Sequence, residues 1–137
     1  MVKFLSDEWI EYGKKNIRCN LDPVKDLNNL TTSVLGVIEH VPPQDTTTSF
    51  YLELRDGQLH DFILRNGGAI TEKQPVFVIT GNYGAYQDIF EGKIGTAMAI
   101  LKNRVKLKGS KIDALKIIKQ LDGLINALRK VTDEFEE

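Results

Sequence analysis

PVFVITGNYGAYQDIFEGKIGTAMAILKNRVKLKGSKIDALKIIKQL, residues 75–121, changes its hydrophobic period repeatedly, and those changes decide the fold. After Pro75, the β-branched and apolar run Val76 to Thr80 predicts a strand. Gly81-Asn82-Tyr83-Gly84 turns the chain. Tyr83, Tyr86, Ile89 and Phe90 then share one face at helical spacing, and Gly92 ends that helix. Ile94, Ala97, Met98 and Leu101 form a second short helical stripe. Arg104-Val105-Lys106-Leu107-Lys108 alternates strictly, which predicts a strand with one basic face, broken by Gly109. Ser110, with Asp113 three residues on, resembles a capping box. Ile112, Leu115, Ile118, Leu121, Ile125 and Leu128 recur at three- and four-residue steps and predict one long amphipathic helix.

Toward the N-terminus the period is two. Val34 to Val41 is β-branched and mostly apolar, and Pro42-Pro43 stops it. Phe50 to Arg55 alternates, Asp56-Gly57 is a hairpin signal, and Phe62 to Arg65 lies on the return strand. Asn66-Gly67-Gly68 turns the chain again before Val76. Four strands separated by short turns predict an antiparallel meander. Ahead of them, Ser6 caps a first helix whose opening turn carries Asp7 and Glu8, with Trp9, Ile10 and Ile17 on one face. Asp22-Pro23 predicts a second, short helix through Val24, Leu27 and Leu30.

The chain has 137 residues and a formal net charge of −1, which fits one domain over residues 1–137 and gives no field that would draw it to nucleic acid. The acidic segment 132–137 is expected to fray. Cys19 is the only cysteine, so no intramolecular disulfide can form, and a reducing, cytoplasmic setting is expected. A lone cysteine is ordinarily a small buried hydrophobe. Acidic residues arrive before any apolar run, so no leader peptide is expected, and no stretch approaches the length of a membrane span.

Catalytic patterns are sparse. His40 and His60 each lie in a predicted strand, without a cysteine or second histidine at ligand spacing, so no metal site is expected. A Cys19–His40 or Cys19–His60 nucleophile pair has no local signature. Gly81 to Gly84 precedes a helix, where a phosphate can bind, yet no Walker or dinucleotide fingerprint accompanies it, and a turn explains the glycines more simply. Glu53, Asp61 and Asp88 have no spacing that argues for a paired-carboxylate site. One charge feature is uneven: Lys102, Arg104, Lys106, Lys108, Lys111, Lys116 and Lys119 are opposed only by Asp113. A solvated face accounts for it. A transient contact with an anionic membrane surface, or with the phosphates of an acyl-CoA, is the functional reading, each basic residue contributing roughly 1 kcal/mol near such a surface.

The order strand, short helix ending in Gly92-Lys93, second short helix, basic alternating strand ending in Gly109, and final helix resembles the sterol carrier protein type 2 family. Phe4-Leu5-Ser6-Asp7-Glu8-Trp9 and the Asp56-Gly57 hairpin are similar to small free-standing prokaryotic and archaeal members, so the likeness covers nearly the whole chain. Two positions depart. Where the family often carries a polar residue and a proline after Gly-Lys, this chain has Gly95-Thr96; where a polar residue and a methionine often follow the later glycine, it has Ser110-Lys111. The resemblance implies an α+β fold with a five-stranded, mainly antiparallel sheet covered by helices and an apolar cavity between them. It also implies non-catalytic binding and transfer of a lipid, fatty acid or fatty acyl-CoA, with a sterol-like molecule as a further candidate ligand; no cofactor is expected.

Apolar residues from every element are candidates for the wall of such a cavity. They are Phe50, Leu52 and Leu54; Phe62 and Leu64; Phe77 and Ile79; Phe90, Met98 and Leu101; and Leu121 and Ile125, with Leu124 and Leu128 beside them on the last helix. An acyl chain in that space would gain about 0.8 kcal/mol per buried methylene, on the order of 10 kcal/mol for a long chain before ordering costs. The last helix is the natural lid, weakened at Gly123. The alternative is an accessory module or homodimer in lipid or quinone metabolism that docks through the stripe from Ile112 to Leu128.

Overall fold

The computed structural model describes residues 1–136. Helix α1 spans Asp7–Asn20, followed by strands β1 (Thr32–Val41), β2 (Thr46–Arg55), β3 (Gln58–Asn66) and β4 (Phe77–Asn82). Helices α2 (Tyr83–Phe90) and α3 (Thr96–Leu101), the short strand β5 (Lys106–Lys108), and helices α4 (Lys111–Lys116) and α5 (Ile118–Lys130) complete the order. Local chemistry sets many of the boundaries. Ser6 accepts from the Trp9 amide at 3.2 Å and starts α1. Ser110 accepts from the Asp113 amide at 3.2 Å and starts α4. At the β2–β3 hairpin Asp56 and Gly57 both take positive φ, the conformation a two-residue turn of this type requires. Gly57 is needed twice over, since a Cβ there would stand 2.3 Å from the Pro23 carbonyl oxygen.

The strands form one sheet in the order β3-β2-β1-β4-β5. The β1–β2, β2–β3 and β4–β5 pairs are antiparallel. The β1–β4 pair is parallel, with Val34 opposite Phe77 and Ile38 opposite Gly81. The expected four-strand meander is therefore a three-strand meander plus a crossover. Residues 67–76 cross the outer face of the sheet, because Leu35 and Tyr51 need an apolar cover and Ile70, 2% exposed, supplies it. Ser49 fixes the crossing: its hydroxyl donates to the Gly68 carbonyl at 3.0 Å and accepts from the Ile70 amide at 3.1 Å. At the far end the Val76 amide donates to the Ser33 hydroxyl at 2.9 Å.

The opposite, inner face presents Val34, Gly36 and Ile38 from β1, Phe50, Leu52 and Leu54 from β2, Phe62 and Leu64 from β3, and Phe77 and Ile79 from β4. Helices α1, α2 and α5 cover it and share one hydrophobic core with it. Trp9 is fully buried at its centre, edge-on to Phe4 at 5.1 Å and to Phe62 at 5.4 Å, and its indole N–H donates to the Thr132 hydroxyl at 2.9 Å.

Five local expectations change. Residues 22–30 form successive turns rather than a helix: the Asp22 carboxylate takes the Val24 and Lys25 amides as an N-cap would, but Asn28 and Asn29 adopt positive φ and stop the helix from continuing. The buried face of α3 is Thr96, Ala99 and Ile100, which leaves Met98 and Leu101 about half exposed. The long terminal helix breaks at Ile117, within a run of two β-branched residues that disfavours an unbroken helix. Residues 133–136 are tied down rather than frayed: the Phe4 amide donates to the Glu134 carbonyl at 3.0 Å, the Glu136 amide donates to the Tyr83 hydroxyl at 2.8 Å, and Phe135 packs 5.2 Å from Phe4. Glu137, also assigned to that segment, lies outside the described residues. Cys19 is exposed.

Candidate functional site

Between the inner sheet face and the helices lies a cavity of about 60 Å³. Its floor is Val34, Phe50, Leu52 and Ile79; its walls are Tyr86, Ile89 and Phe90 from α2 and Thr96 from α3; its roof is Leu121, Leu124, Ile125 and Leu128 from α5. Among the described residues no charged side chain lines it. The floor is deepened by Gly36, which pairs with Phe50 across β1 and β2, so that the Phe50 ring lies over the glycine. The Tyr86 hydroxyl donates to the Ile79 carbonyl at 2.5 Å, and burial pushes its phenol pKa far above the ordinary value. Thr96 is the exception to this satisfaction: its hydroxyl is buried and, among the described residues, has no hydrogen-bond partner.

Beside the cavity runs a groove of about 470 Å³ between the α2–α3 connection and α5. Cavity and groove share Ile89, Thr96 and Ile125 as a common wall. Gly92, Gly95 and Gly123 leave the groove open, and Asp122, Asn126 and Arg129 make it polar. The Arg129 guanidinium donates to the Phe90 and Ile89 carbonyls at 3.0 and 3.3 Å, closing the C-terminal end of α2 against α5. Larger hollows, about 560 Å³ along the outer side of α1 and about 870 Å³ beside the C-terminal segment, are lined largely by charged side chains and lie outside the sheet–helix layers.

No protein-family model matches the chain, and no curated protein sequence matches it. Solved structures do. A crystal structure of sterol carrier protein 2 aligns with a TM-score of 0.78 at 18% identity, covering 94% of this chain and 99% of that one. The fold is that of sterol carrier protein 2. A conserved hypothetical protein from Thermus thermophilus aligns with a TM-score of 0.77 at 18% identity, over 98% of this chain and 93% of that one. The palmitated sterol carrier protein 2-like 2 of Aedes aegypti aligns with a TM-score of 0.53 at 14% identity, over 85% of this chain and 94% of that one. As in the expectation drawn from the sequence, the sterol carrier fold here has five strands, mostly antiparallel, under a layer of helices.

Within this sterol carrier fold, the structure brings together half of the wall residues proposed from the sequence: Phe50, Leu52, Ile79, Phe90, Leu121 and Ile125, with Leu124 and Leu128 beside them. Leu54 and Phe62 are fully buried elsewhere in the core, and Leu64 and Phe77 pack into the same core away from the cavity. Met98 and Leu101 face solvent, because the α3 face is rotated from the expected stripe. Val34, Tyr86, Ile89 and Thr96 also line the cavity. Tyr86 and Ile89 were visible as the buried stripe of α2, whereas nothing in the hydrophobic pattern marks Thr96.

The remaining candidates scatter. His40 is exposed and pairs with Asp45 at 2.7 Å in the β1–β2 hairpin, and His60 is exposed on β3. Glu53 and Asp61 are cross-strand neighbours, but Glu53 holds Arg55 at 2.6 Å and the Tyr51 hydroxyl at 2.8 Å, and Asp61 holds Lys73 at 3.0 Å. Hydrogen bonds from Tyr51 and Arg55 keep the Glu53 carboxyl below its ordinary pKa. Asp88 pairs with Arg104 at 2.7 Å on another part of the surface. No turn separates strand from helix at Gly81 to Gly84: Gly81 and Asn82 end β4, Tyr83 and Gly84 open α2, and the Asn82 side chain caps the helix by accepting from the Ala85 amide at 2.8 Å. Among the described residues no three histidine, cysteine, aspartate or glutamate side chains gather where they could hold a metal ion, and no helix is long and apolar enough to cross a membrane. The terminal stripe turns inward at Leu121, Leu124 and Leu128, while Ile112 alone stands 69% exposed.

Proposed function

We propose that the protein binds one lipid or fatty-acyl chain between the inner sheet face and helices α2, α3 and α5, and carries it without chemical change. The observation that carries this reading is the cavity itself. An apolar hollow, walled by side chains from the sheet and three helices, is left unfilled within the shared hydrophobic core, whereas protein interiors ordinarily pack closely. The palmitated Aedes aegypti protein of the same fold supports a single-chain ligand.

At about 60 Å³ the cavity is closed to such a ligand, since small-molecule pockets span roughly 300–1,000 Å³. Loading therefore requires a wall to move, and α5 is unevenly fastened. Its C-terminal half is held by Asn16, which donates to the Ala127 carbonyl at 2.6 Å, and by Arg129. Its N-terminal half rests on the cavity through Leu121, Leu124 and Ile125, and the break at Ile117 separates it from α4. Lifting that half joins cavity to groove.

Titration of delipidated protein with a fluorescent fatty acid, followed by competition with fatty acid, acyl-CoA and sterol, tests the reading. Saturation near one per chain is expected, and Ile125→Trp, which fills the roof, should abolish it. Leu101→Trp, on the exposed side of α3, should leave it unchanged. Uptake that survives Ile125→Trp would remove the cavity from the account.

Delivery to membranes is part of the proposal. Lys102, Lys106, Lys108, Lys111, Lys116 and Lys119 are exposed, as are Met98, Leu101 and Ile112. Co-sedimentation with anionic but not neutral vesicles, weakened by salt, is expected. The exposed thiol of Cys19 suits a reducing, cytoplasmic setting.

A further inference from the structure

We infer that Thr96 is the polar recognition point of the cavity, and that the natural ligand is a chain lipid bearing a terminal oxygen that hydrogen-bonds to the Thr96 hydroxyl. This rests on the carrier reading and deepens it. The starting observation is a buried hydroxyl without a partner on an otherwise apolar wall; Thr96 is 4% exposed. Burying a hydroxyl without a hydrogen bond is unfavourable, and valine would fill the same space without that cost. Capping does not account for it, since the N-cap of α3 is Gly95 and no side chain caps that helix. Packing does not account for it either, because packing needs the methyl and not the oxygen. The other hydroxyl on the wall, that of Tyr86, is already committed to the Ile79 carbonyl.

Position gives the orientation. Thr96 belongs to both cavity and groove, so an oxygen seated there has its hydrocarbon tail toward Phe50 and Leu121 and its head toward Arg129. A hydroxyl both donates and accepts, so alcohol and carboxyl oxygens satisfy it alike. A plain hydrocarbon leaves it unpartnered. Thr96 therefore selects for oxygenated chains.

The test compares wild type, Thr96→Val and Thr96→Ser by displacement of a fluorescent fatty acid with dodecane, 1-dodecanol and dodecanoate. Thr96→Val should weaken the oxygenated competitor by about tenfold and leave dodecane unchanged, and Thr96→Ser should restore the preference. The comparison of alcohol with acid tells which oxygen source the site takes. Ligand-free Thr96→Val should also melt at a higher temperature than wild type. Equal effects of Thr96→Val on dodecane and on the oxygenated chains, or a lower melting temperature, would overturn the inference while leaving the carrier reading intact. Absence of displacement by any competitor from wild type would overturn both.

Discussion

Gly36 sets the floor of the cavity. A Cβ at this position would lie 2.3 Å from the Phe50 ring, so glycine alone lets the ring lie flat across the β1–β2 pair. Gly36→Ala should drive the ring upward into the cavity. Overpacking of this kind costs about 1–3 kcal/mol, so a lower urea midpoint with an unchanged m-value is expected. Uptake of a fluorescent fatty acid should fall in parallel, because the displaced ring would occupy the space proposed for the ligand. Loss of stability with full uptake would show that Phe50 is not part of the binding surface.

In the proposed carrier, helix α5 is the element on which loading would depend. Its two halves are held differently: hydrogen bonds from Asn16 and Arg129 fasten the end near Ala127, whereas the stretch from Ile118 to Ile125 rests over the cavity through apolar side chains and, among the described residues, has no side-chain hydrogen bond to another element. Regions held by few fixed contacts open locally at lower free energy than the core. Amides of α4 and the first half of α5 should therefore exchange with deuterium faster than those of β1 and β2, and slow when a fatty acid is bound. Asn16→Ala leaves the Ala127 carbonyl without its side-chain donor and should cost about 1 kcal/mol by denaturant unfolding. Exchange that is uniform along α5 and insensitive to ligand would place the moving wall elsewhere.

The molecule as a whole is closed by its C-terminal segment, which returns to the N-terminus and to Tyr83. Burial, with a smaller contribution from the Glu91 charge, pushes the Tyr83 phenol up to about 12, and burial pushes Tyr86 further in the same direction. In the unfolded chain both phenols ionise near about 10. Above that value the unfolded state loses protons that the folded state retains, so unfolding becomes easier as pH rises. The stability these groups contribute is fully present below pH about 10, and Tyr83's share is lost as the pH rises toward about 12. The melting temperature should hold up to about pH 10 and then fall, less steeply in Tyr83→Phe, as followed by circular dichroism across an alkaline series.

The sequence alone determined the elements and their order wherever the signal was local. Ser6 and Ser110 announce helix starts through hydroxyls that reach the next turn, Asp56-Gly57 announces the hairpin through its positive φ values, and the alternation from Phe50 to Arg55 announces a strand. Each of these depends on atoms a few residues apart. What only the tertiary structure decided depends on partners far along the chain. The parallel pairing of β4 with β1 follows from the need of Leu35 and Tyr51 for the cover that Ile70 provides. The face that α3 buries follows from the surfaces against which it packs, which no helical period specifies, and this turned Met98 and Leu101 outward and Thr96 inward. Half of the proposed wall was therefore legible, because inward-facing strand positions are all apolar alike. Whether one of them meets a cavity or a neighbouring side chain is settled by where the helices above it stop short of contact.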